Sequence, residues 1–281
     1  IWDTAANEWS IVGGVNRKFG VSWNCYCLCL GQASSLYVGG NFYGAGGVAR
    51  NAVAKLDLKS GAWSSLGSGI DHEAYAMAAD ASGNIYVGGE FDSAGEIDNC
   101  GGIARWNPAT ENWSALGSGT DGLVQCLAMS PSGTLYVGGG FFSAGGVECN
   151  YFAQWNTESE EWSSLGGGFN KHVQDITLDS NGDIYACGLF SEAGGVQCGG
   201  IARWDANSKT WNPLGNGLSS SDGSPPGAFS VLLDGNGGVY VGGLFDQAGD
   251  VPCSNIARWD IGSQTWHALG KGVDWYVRSI A

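Results

Sequence analysis

Apolar residues recur along the chain in short runs, and one of these runs occurs five times. Each copy has a tyrosine followed by small apolar residues and then by Phe, as in LYVGGNF and IYVGGEF. Successive copies are 49, 50, 49 and 55 residues apart, and self-similarity at such a period is typical of repeat architectures. The tyrosines are Tyr37, Tyr86, Tyr136, Tyr185 and Tyr240.

A second signature consists of two bulky residues seven positions apart, joined by polar turn formers such as NPATEN. Together with an apolar run before each tyrosine, it predicts four short strands per repeat, separated by Gly, Asn, Ser and Asp. No segment has the period of a helix, so the predicted fold class is all-β. The pairs are Trp2/Trp9, Leu56/Trp63, Trp106/Trp113, Trp155/Trp162, Trp204/Trp211 and Trp259/Trp266.

Four-stranded sheets of this kind cannot cover both of their own faces, so the repeats are expected to stack radially. Gly-Gly pairs let adjacent sheets approach closely, and the large Trp and Phe side chains can fill the space between them. We therefore expect 1–281 to form a single domain, a β-propeller of about six four-stranded blades built from repeats of about 49–55 residues.

The sixth repeat is incomplete in this sequence. Ile1 aligns with Gln154, inside a third strand, and Ala281 aligns with Ala128, inside a first strand. We expect the two termini to share the sixth blade, with its outer strands from the N-terminus and its innermost strand from the C-terminus, and the natural protein to extend beyond one end. An unpaired strand edge at this blade could serve self-assembly.

The order of an inner strand, a YVGG strand and two aromatic-bounded strands, as in IYVGGEF followed by IARWNPATENWSAL, resembles the Kelch-type β-propeller repeat. It is also similar to the central propeller domain of galactose oxidase and to repeat arrays of secreted or cell-surface proteins. The sequence departs from the usual Kelch repeat in having Trp, or Leu56 once, where the first aromatic residue is commonly Tyr. The resemblance covers essentially the whole chain and implies the fold, but propellers serve enzymes, adaptors and adhesins alike.

Composition and charge narrow the range of partners. A chain with 49 Gly, 13 Trp and only 14% charged residues is not a disordered acidic segment. Its 27 acidic and 12 basic residues give a net charge of −15, which would repel nucleic acids and anionic lipid surfaces. The longest uncharged stretch, 19–49, is interrupted by polar residues and glycines, so we expect no membrane insertion.

Recognisable catalytic and cofactor motifs are absent from the sequence. GSGTDG at 117–122 matches a nucleotide-binding glycine pattern, but it lies between two predicted strands and lacks the helix that would hold a pyrophosphate. His72, His172 and His267 follow no metal-binding spacing. Asp179 opens DSNGD, which resembles the start of a calcium loop, but its equivalents in other repeats indicate a hairpin turn. We expect no metal and no cofactor.

The nine cysteines fall into two groups. The loop group shares one repeat position, which would hold its members too far apart to pair with one another or to surround a metal. Buried thiols and disulfides between nonequivalent cysteines both remain open, and disulfides would indicate an oxidising compartment. The loop group is Cys100, Cys149, Cys198 and Cys253, and the others are Cys25, Cys27, Cys29, Cys126 and Cys187.

Candidate binding residues lie where each repeat enters its first strand, at one mouth of the expected channel. The residues at these positions differ among the repeats, whereas the residues that build the strands are nearly constant. A binding pocket requires such variation, but solvent-exposed loops without a function vary as well. The candidates are Trp23, Asn24, His72, Glu73, Lys171, His172, Trp275 and Tyr276.

Trp23 and Trp275 would present flat faces for stacking on sugars or on a partner's side chains, or they would fold back into the core. We favour a non-enzymatic binding, adhesion or assembly module, extracellular or at the cell surface, with a protein or glycan ligand. One alternative is a glycan-active lyase or hydrolase that uses Asp175 and His172. The other is an intracellular Kelch-like adaptor for proteins.

Overall fold

A computed structural model of the protein describes Trp2–Asp3, Glu8–Trp9, 24–49 and 51–281, with side chains described in 24–47 and from residue 51 onward. These residues contain no helix, and they form five four-stranded antiparallel sheets with smaller hairpins between them. The prediction of an all-β chain of repeated sheets is confirmed. The chain divides into two compact units, Ile1–Gly119 and Thr120–Ala281, here called the N-terminal and C-terminal units.

The N-terminal unit contains two four-stranded sheets. Sheet A has the strand order β3-β4-β7-β8 and sheet B the order β9-β10-β11-β12. The strands are β1 (Trp2–Asp3), β2 (Glu8–Trp9), β3 (Asn24–Leu30), β4 (Ser35–Asn41), β5 (Gly44–Ala45), β6 (Val48–Ala49), β7 (Val53–Asp57), β8 (Trp63–Ser65), β9 (Glu73–Ala79), β10 (Ile85–Glu90), β11 (Ile103–Asn107) and β12 (Asn112–Ala115).

The C-terminal unit contains three four-stranded sheets of the same strand order. Sheet C consists of β13, β14, β17 and β18, sheet D of β19, β20, β23 and β24, and sheet E of β26, β27, β30 and β31. The strands are β13 (Leu123–Met129), β14 (Thr134–Gly140), β15 (Ser143–Ala144), β16 (Val147–Glu148), β17 (Phe152–Asn156), β18 (Glu161–Ser164), β19 (Val173–Leu178), β20 (Ile184–Gly188), β21 (Glu192–Ala193), β22 (Val196–Gln197), β23 (Ile201–Asp205), β24 (Thr210–Pro213), β25 (Leu218–Ser219), β26 (Gly227–Leu233), β27 (Gly238–Leu244), β28 (Gln247–Ala248), β29 (Val251–Pro252), β30 (Ile256–Asp260) and β31 (Thr265–Ala268).

The paired tryptophans form the outer core of the sheets. Trp106 lies directly opposite Trp113 across β11 and β12, with ring centroids 5.4 Å apart, and both indoles are buried. The indole N–H of Trp113 donates to the carbonyl of Leu66, at the end of sheet A, over 2.9 Å. Trp266 makes the same bond to Leu214 between sheets E and D. These indoles therefore join consecutive sheets, which accounts for their repetition without a role in binding.

Glycines allow the inner strand of one sheet to lie against the preceding sheet. A Cβ at Gly39 of β4 would stand 2.9 Å from both Ala74 and Met77 of β9. In the C-terminal unit, a Cβ at Gly138 of β14 would stand 2.8 Å from Val173 of β19. Because any side chain at these positions would separate the sheets, the glycine of the Tyr-Val-Gly-Gly run is required for packing.

The segment 273–281 lies against sheet E in the manner of an inner strand. Gly242 of β27 faces Val277 and Ile280 as Gly138 faces Val173, and the Val277 N–H donates to the carbonyl of Gly243 over 2.9 Å. Among the described residues this segment belongs to no sheet. Its expected role as the innermost strand of a shared sixth blade stays a prediction. Most of the N-terminal part of the expected sixth blade lies outside the described residues.

All nine cysteines are free thiols. The loop cysteines Cys100, Cys149 and Cys198 are buried, and each Sγ lies 3.5–3.7 Å from a carbonyl oxygen of its own loop. Burial raises the pKa of Cys126 and of Cys187 well above the ordinary value, since it penalises the charged form. The buried cysteines thus pack as small apolar residues, whereas Cys25 is exposed. Among the residues that the structure describes, none forms a helix with the length and apolar character needed to cross a bilayer.

Candidate functional site

His72 and Glu73 enter the first strand of sheet B beside an anchored loop. The preceding residue, Asp71, accepts hydrogen bonds from the backbone N–H groups of Asp92 and Ser93, both over 3.0 Å. This carboxylate ties the loop before β9 to the loop after β10. The anchoring fixes the backbone from which the exposed His72 and the half-buried Glu73 project.

The Glu73 carboxylate is the centre of a polar network. Asn41, at the end of β4, donates its side-chain N–H to one oxygen, and the Tyr75 hydroxyl donates to the other. Burial, together with the bond to Glu73, holds the pKa of Tyr75 well above its ordinary value, so this hydroxyl remains a donor. The Tyr75 ring stacks on Tyr26 at 5.4 Å, and Asn24 donates to the Tyr26 hydroxyl over 3.4 Å.

A cleft of about 190 Å³ opens at this end of the N-terminal unit. Asn41, Asp71, His72 and Glu73 contribute its polar lining, and the rest comes from Phe42, Tyr43, Asn51, Ala52 and Ile70. Glu90, the last residue of β10, lies directly opposite Glu73 in the strand pairing. The donor atoms of His72, Glu73 and Glu90 all lie within 4.8 Å of one another.

In the C-terminal unit, Lys171 and His172 precede β19 and are exposed. The His172 ring lies 5.6 Å from that of Tyr151, which in turn lies 5.1 Å from Phe142. A Cβ at Gly140, the last residue of β14, would contact the His172 ring at 3.0 Å. His172 therefore rests on an aromatic and glycine surface.

Trp275 and Tyr276 form an exposed aromatic platform on the segment that lies against sheet E. Trp275 is 74% exposed and Tyr276 is 39% exposed, and their ring centroids are 6.0 Å apart. Phe229 of β26 meets Tyr276 edge-on at 6.1 Å, and the Arg278 guanidinium lies 5.7 Å from the Tyr276 ring centre. Trp275 thus differs from the paired tryptophans of sheets B to E, which are buried.

The structure brings the predicted residues together in small groups. His72 and Glu73 share the cleft, Asn24 reaches the same network through Tyr26, and Trp275 and Tyr276 form the platform. Trp23 lies outside the described residues. The possibility that Trp275 folds back into the core does not agree with its exposure.

Sequence reasoning missed Asn41, which lines the cleft, and Tyr75 and Glu90, which lie next to Glu73. Asn41 and Glu90 both follow the Gly-Gly pair of their repeats, and that position pairs with the residue that opens the inner strand, as Glu90 pairs with Glu73. Aligning this second position across the repeats would have identified them.

Asp175, which the enzyme alternative requires, is held between two strands of the C-terminal unit. Its carboxylate accepts hydrogen bonds from the N–H groups of Val231 and Ile176, both over 2.9 Å, and from the Ser230 hydroxyl over 3.2 Å. Burial raises its pKa above the ordinary value, although these bonds act in the opposite direction. Such an arrangement joins β19 to β26.

No protein-family model matches this chain, and no curated protein sequence matches it.

Proposed function

We propose that the chain is a Kelch-like β-propeller of about six blades, that its two ends share the sixth blade, and that it acts as a non-enzymatic binding module outside the cell. Trp2 and Trp9 pair across β1 and β2 in the register that Trp106 and Trp113 adopt in sheet B, which supports an outer hairpin at the N-terminus. The packing of Val277 on Gly242 supports an inner strand at the C-terminus.

Sheet A also favours a further blade beside it. Leu28 is 60% exposed, whereas its repeat equivalent Met77 is buried against Gly39. The Trp63 indole N–H is buried without a partner, whereas the equivalent N–H of Trp113 bonds a carbonyl of the preceding sheet. A blade that precedes sheet A would cover Leu28 and supply the missing acceptor, because buried donors in proteins are rarely unpaired.

The ligand that we propose is a neutral glycan, and the exposed Trp275 beside Tyr276 is the observation on which this rests. Two adjacent rings present flat apolar faces with polar edges, the combination that suits the apolar faces and hydroxyl rims of sugar rings. The net charge of −15 disfavours acidic polysaccharides, because their carboxylates or sulfates would be repelled. A neutral glycan is also a ligand that a binding module outside the cell would encounter.

The test is binding to a panel of neutral polysaccharides, first by affinity electrophoresis and then by calorimetry with oligosaccharides of the polymer that is retained. Trp275→Ala should weaken binding about tenfold or more, since an aromatic contact contributes about 0.5–1.5 kcal/mol beyond the area it buries. The thermal midpoint should hardly change, because the indole is exposed.

Phe142→Ala is the matched control, since Phe142 is 59% exposed in the same unit but not part of the platform. It should bind like the unchanged protein. Equal losses in the two variants, or no retention of the unchanged protein by any neutral polysaccharide, would contradict the proposal.

A further inference from the structure

A mixed set of metal-binding donors lies at the edge of the cleft of the N-terminal unit. His72 offers an imidazole nitrogen, and Glu73 and Glu90 offer one carboxylate each, with all donor atoms within 4.8 Å of one another. One imidazole with carboxylates is a donor set that proteins use for zinc and related transition ions. Calcium and magnesium, by contrast, take oxygen ligands.

The charges of this group would be stabilised by a bound cation. Glu73 and Glu90 lie directly opposite each other across β9 and β10, where two like charges destabilise the strand pair. Among the residues that the structure describes, neither Glu73 nor Glu90 forms an ion pair. The bonds from Asn41 and Tyr75 orient Glu73 but leave both negative charges without compensation.

This donor set does not recur at the same position of the other sheets. Leu123 pairs with Gly140 in sheet C, and Gly227 pairs with Leu244 in sheet E. These side chains offer no metal-binding atom. In sheet A the pair is Asn24 and Asn41, which are uncharged. The group is therefore a local addition to sheet B, and strand pairing alone does not require it.

We propose that His72, Glu73 and Glu90 bind one divalent transition-metal ion, with Zn²⁺ as the best-suited occupant, at the edge of the cleft. Zinc–ligand distances of about 2.0–2.2 Å keep two ligand atoms of one ion within about 4.3 Å of each other. The exposed side chains of His72 and Glu90 can close the remaining gap by rotation about their χ angles, while Glu73 is held by its two donors. Three protein ligands leave a position open toward the cleft for water or for an oxygen of a bound molecule.

The experiment is calorimetric titration of the whole chain with Zn²⁺ in a Cys25→Ser background, because the exposed Cys25 thiol could bind zinc independently. One equivalent should bind. His72→Ala and Glu90→Gln should each weaken binding by at least about 100-fold, since loss of even an indirect partner of a metal ligand costs about 10–100-fold. Glu73 is left unchanged because Asn41 and Tyr75 also depend on it.

Two matched controls separate this site from adventitious binding. His172→Ala removes another exposed histidine, and Glu158→Gln removes another exposed carboxylate, so both should retain the affinity of the background protein. Absence of zinc binding in the background protein, or unchanged affinity in both His72→Ala and Glu90→Gln, would overturn the proposal. The inference does not rest on the glycan ligand, because Trp275→Ala should leave the zinc titration unaltered.

Discussion

The contact between Gly242 and the segment 273–281 provides a direct test of how that segment is held. A Cβ at Gly242 would stand 2.5 Å from Val277 Cγ1 and 3.1 Å from Ile280 Cδ1. Carbon atoms in van der Waals contact are about 3.5–4.0 Å apart, so Gly242→Ala requires a displacement of about 1 Å. In sheet C, Gly138→Ala creates the same conflict with Val173, at 2.8 Å.

The two substitutions should differ in outcome because the overlying segments differ. Val173 belongs to β19, which is hydrogen-bonded into sheet D and cannot withdraw, so Gly138→Ala should cost about 1–3 kcal/mol of unfolding free energy. Val277 belongs to a segment outside any sheet, and this segment can move away. Gly242→Ala should therefore lose less stability and instead release the segment from β27.

Hydrogen exchange measured residue by residue, together with urea unfolding, distinguishes these outcomes. In Gly242→Ala the amides of Val277 and Ile280 should exchange about tenfold faster or more, because about 1.4 kcal/mol of lost contact energy is a factor of ten in the opening equilibrium. Gly262→Ala is the control, since a Cβ there would meet only Asp260 at 3.5 Å. Equal stability losses at Gly242 and Gly138, with unchanged exchange at Val277, would refute the reasoning.

Three further predictions concern the indole of Trp113, the buried carboxyl group of Asp175 and the carboxylate of Asp260. Trp113→Phe should cost about 1–2 kcal/mol in urea unfolding, because it removes the bond to Leu66; a cost close to zero would contradict this. Burial raises the folded-state pKa of Asp175 above the unfolded value of about 3.9. The contribution of this carboxyl group to folding stability is therefore fully present below about pH 3.9 and declines as the pH rises through the folded pKa. The stability difference between the unchanged protein and Asp175→Asn, followed by thermal unfolding at several pH values, should accordingly fall with rising pH. The pH dependence that Asp260 gives to stability has the opposite sign. The N–H and hydroxyl of Ser263 lower the pKa of Asp260 to about 2. Its contribution to stability is therefore present above about pH 3.9 and is lost as the pH falls toward 2.

The regular parts of the fold could be predicted because they depend on short stretches of sequence. Tyr86 and Tyr185 lie on the second strands of their sheets, and Trp204 faces Trp211 across a turn, as the spacing indicates. The strand that the repeat predicts at 273–281 depends on more than a short stretch of sequence. An inner strand needs a hydrogen-bonding neighbour as well as a face to pack on, and only the packing face, at Gly242, is found among the described residues.

The cleft residues depend on a register that the sequence does not reveal. Between Gly88 and Gly89 the pairing of β10 with β9 shifts by one residue, and this bulge is what sets Glu90 opposite Glu73. Because β9 has the extra residue, Tyr75, Glu90 would pair with Ala74 in a register without the bulge. The group of donors around His72 therefore appears only when the backbone is known.

The same bulge explains why variation is concentrated beside constant glycines. A Cβ at Gly89 would collide with the backbone of Glu73, and a Cβ at Gly243 would collide with that of Gly227, so neither glycine can change without separating the two strands. The next residue, Glu90 in sheet B and Leu244 in sheet E, ends its strand with an exposed side chain. Because backbone packing fixes the glycine and leaves its successor free, the repeats can differ in chemistry at this one position while the sheet geometry stays constant. The carboxylate of Glu90 in sheet B and the apolar side chain of Leu244 in sheet E therefore occupy the same position of the scaffold.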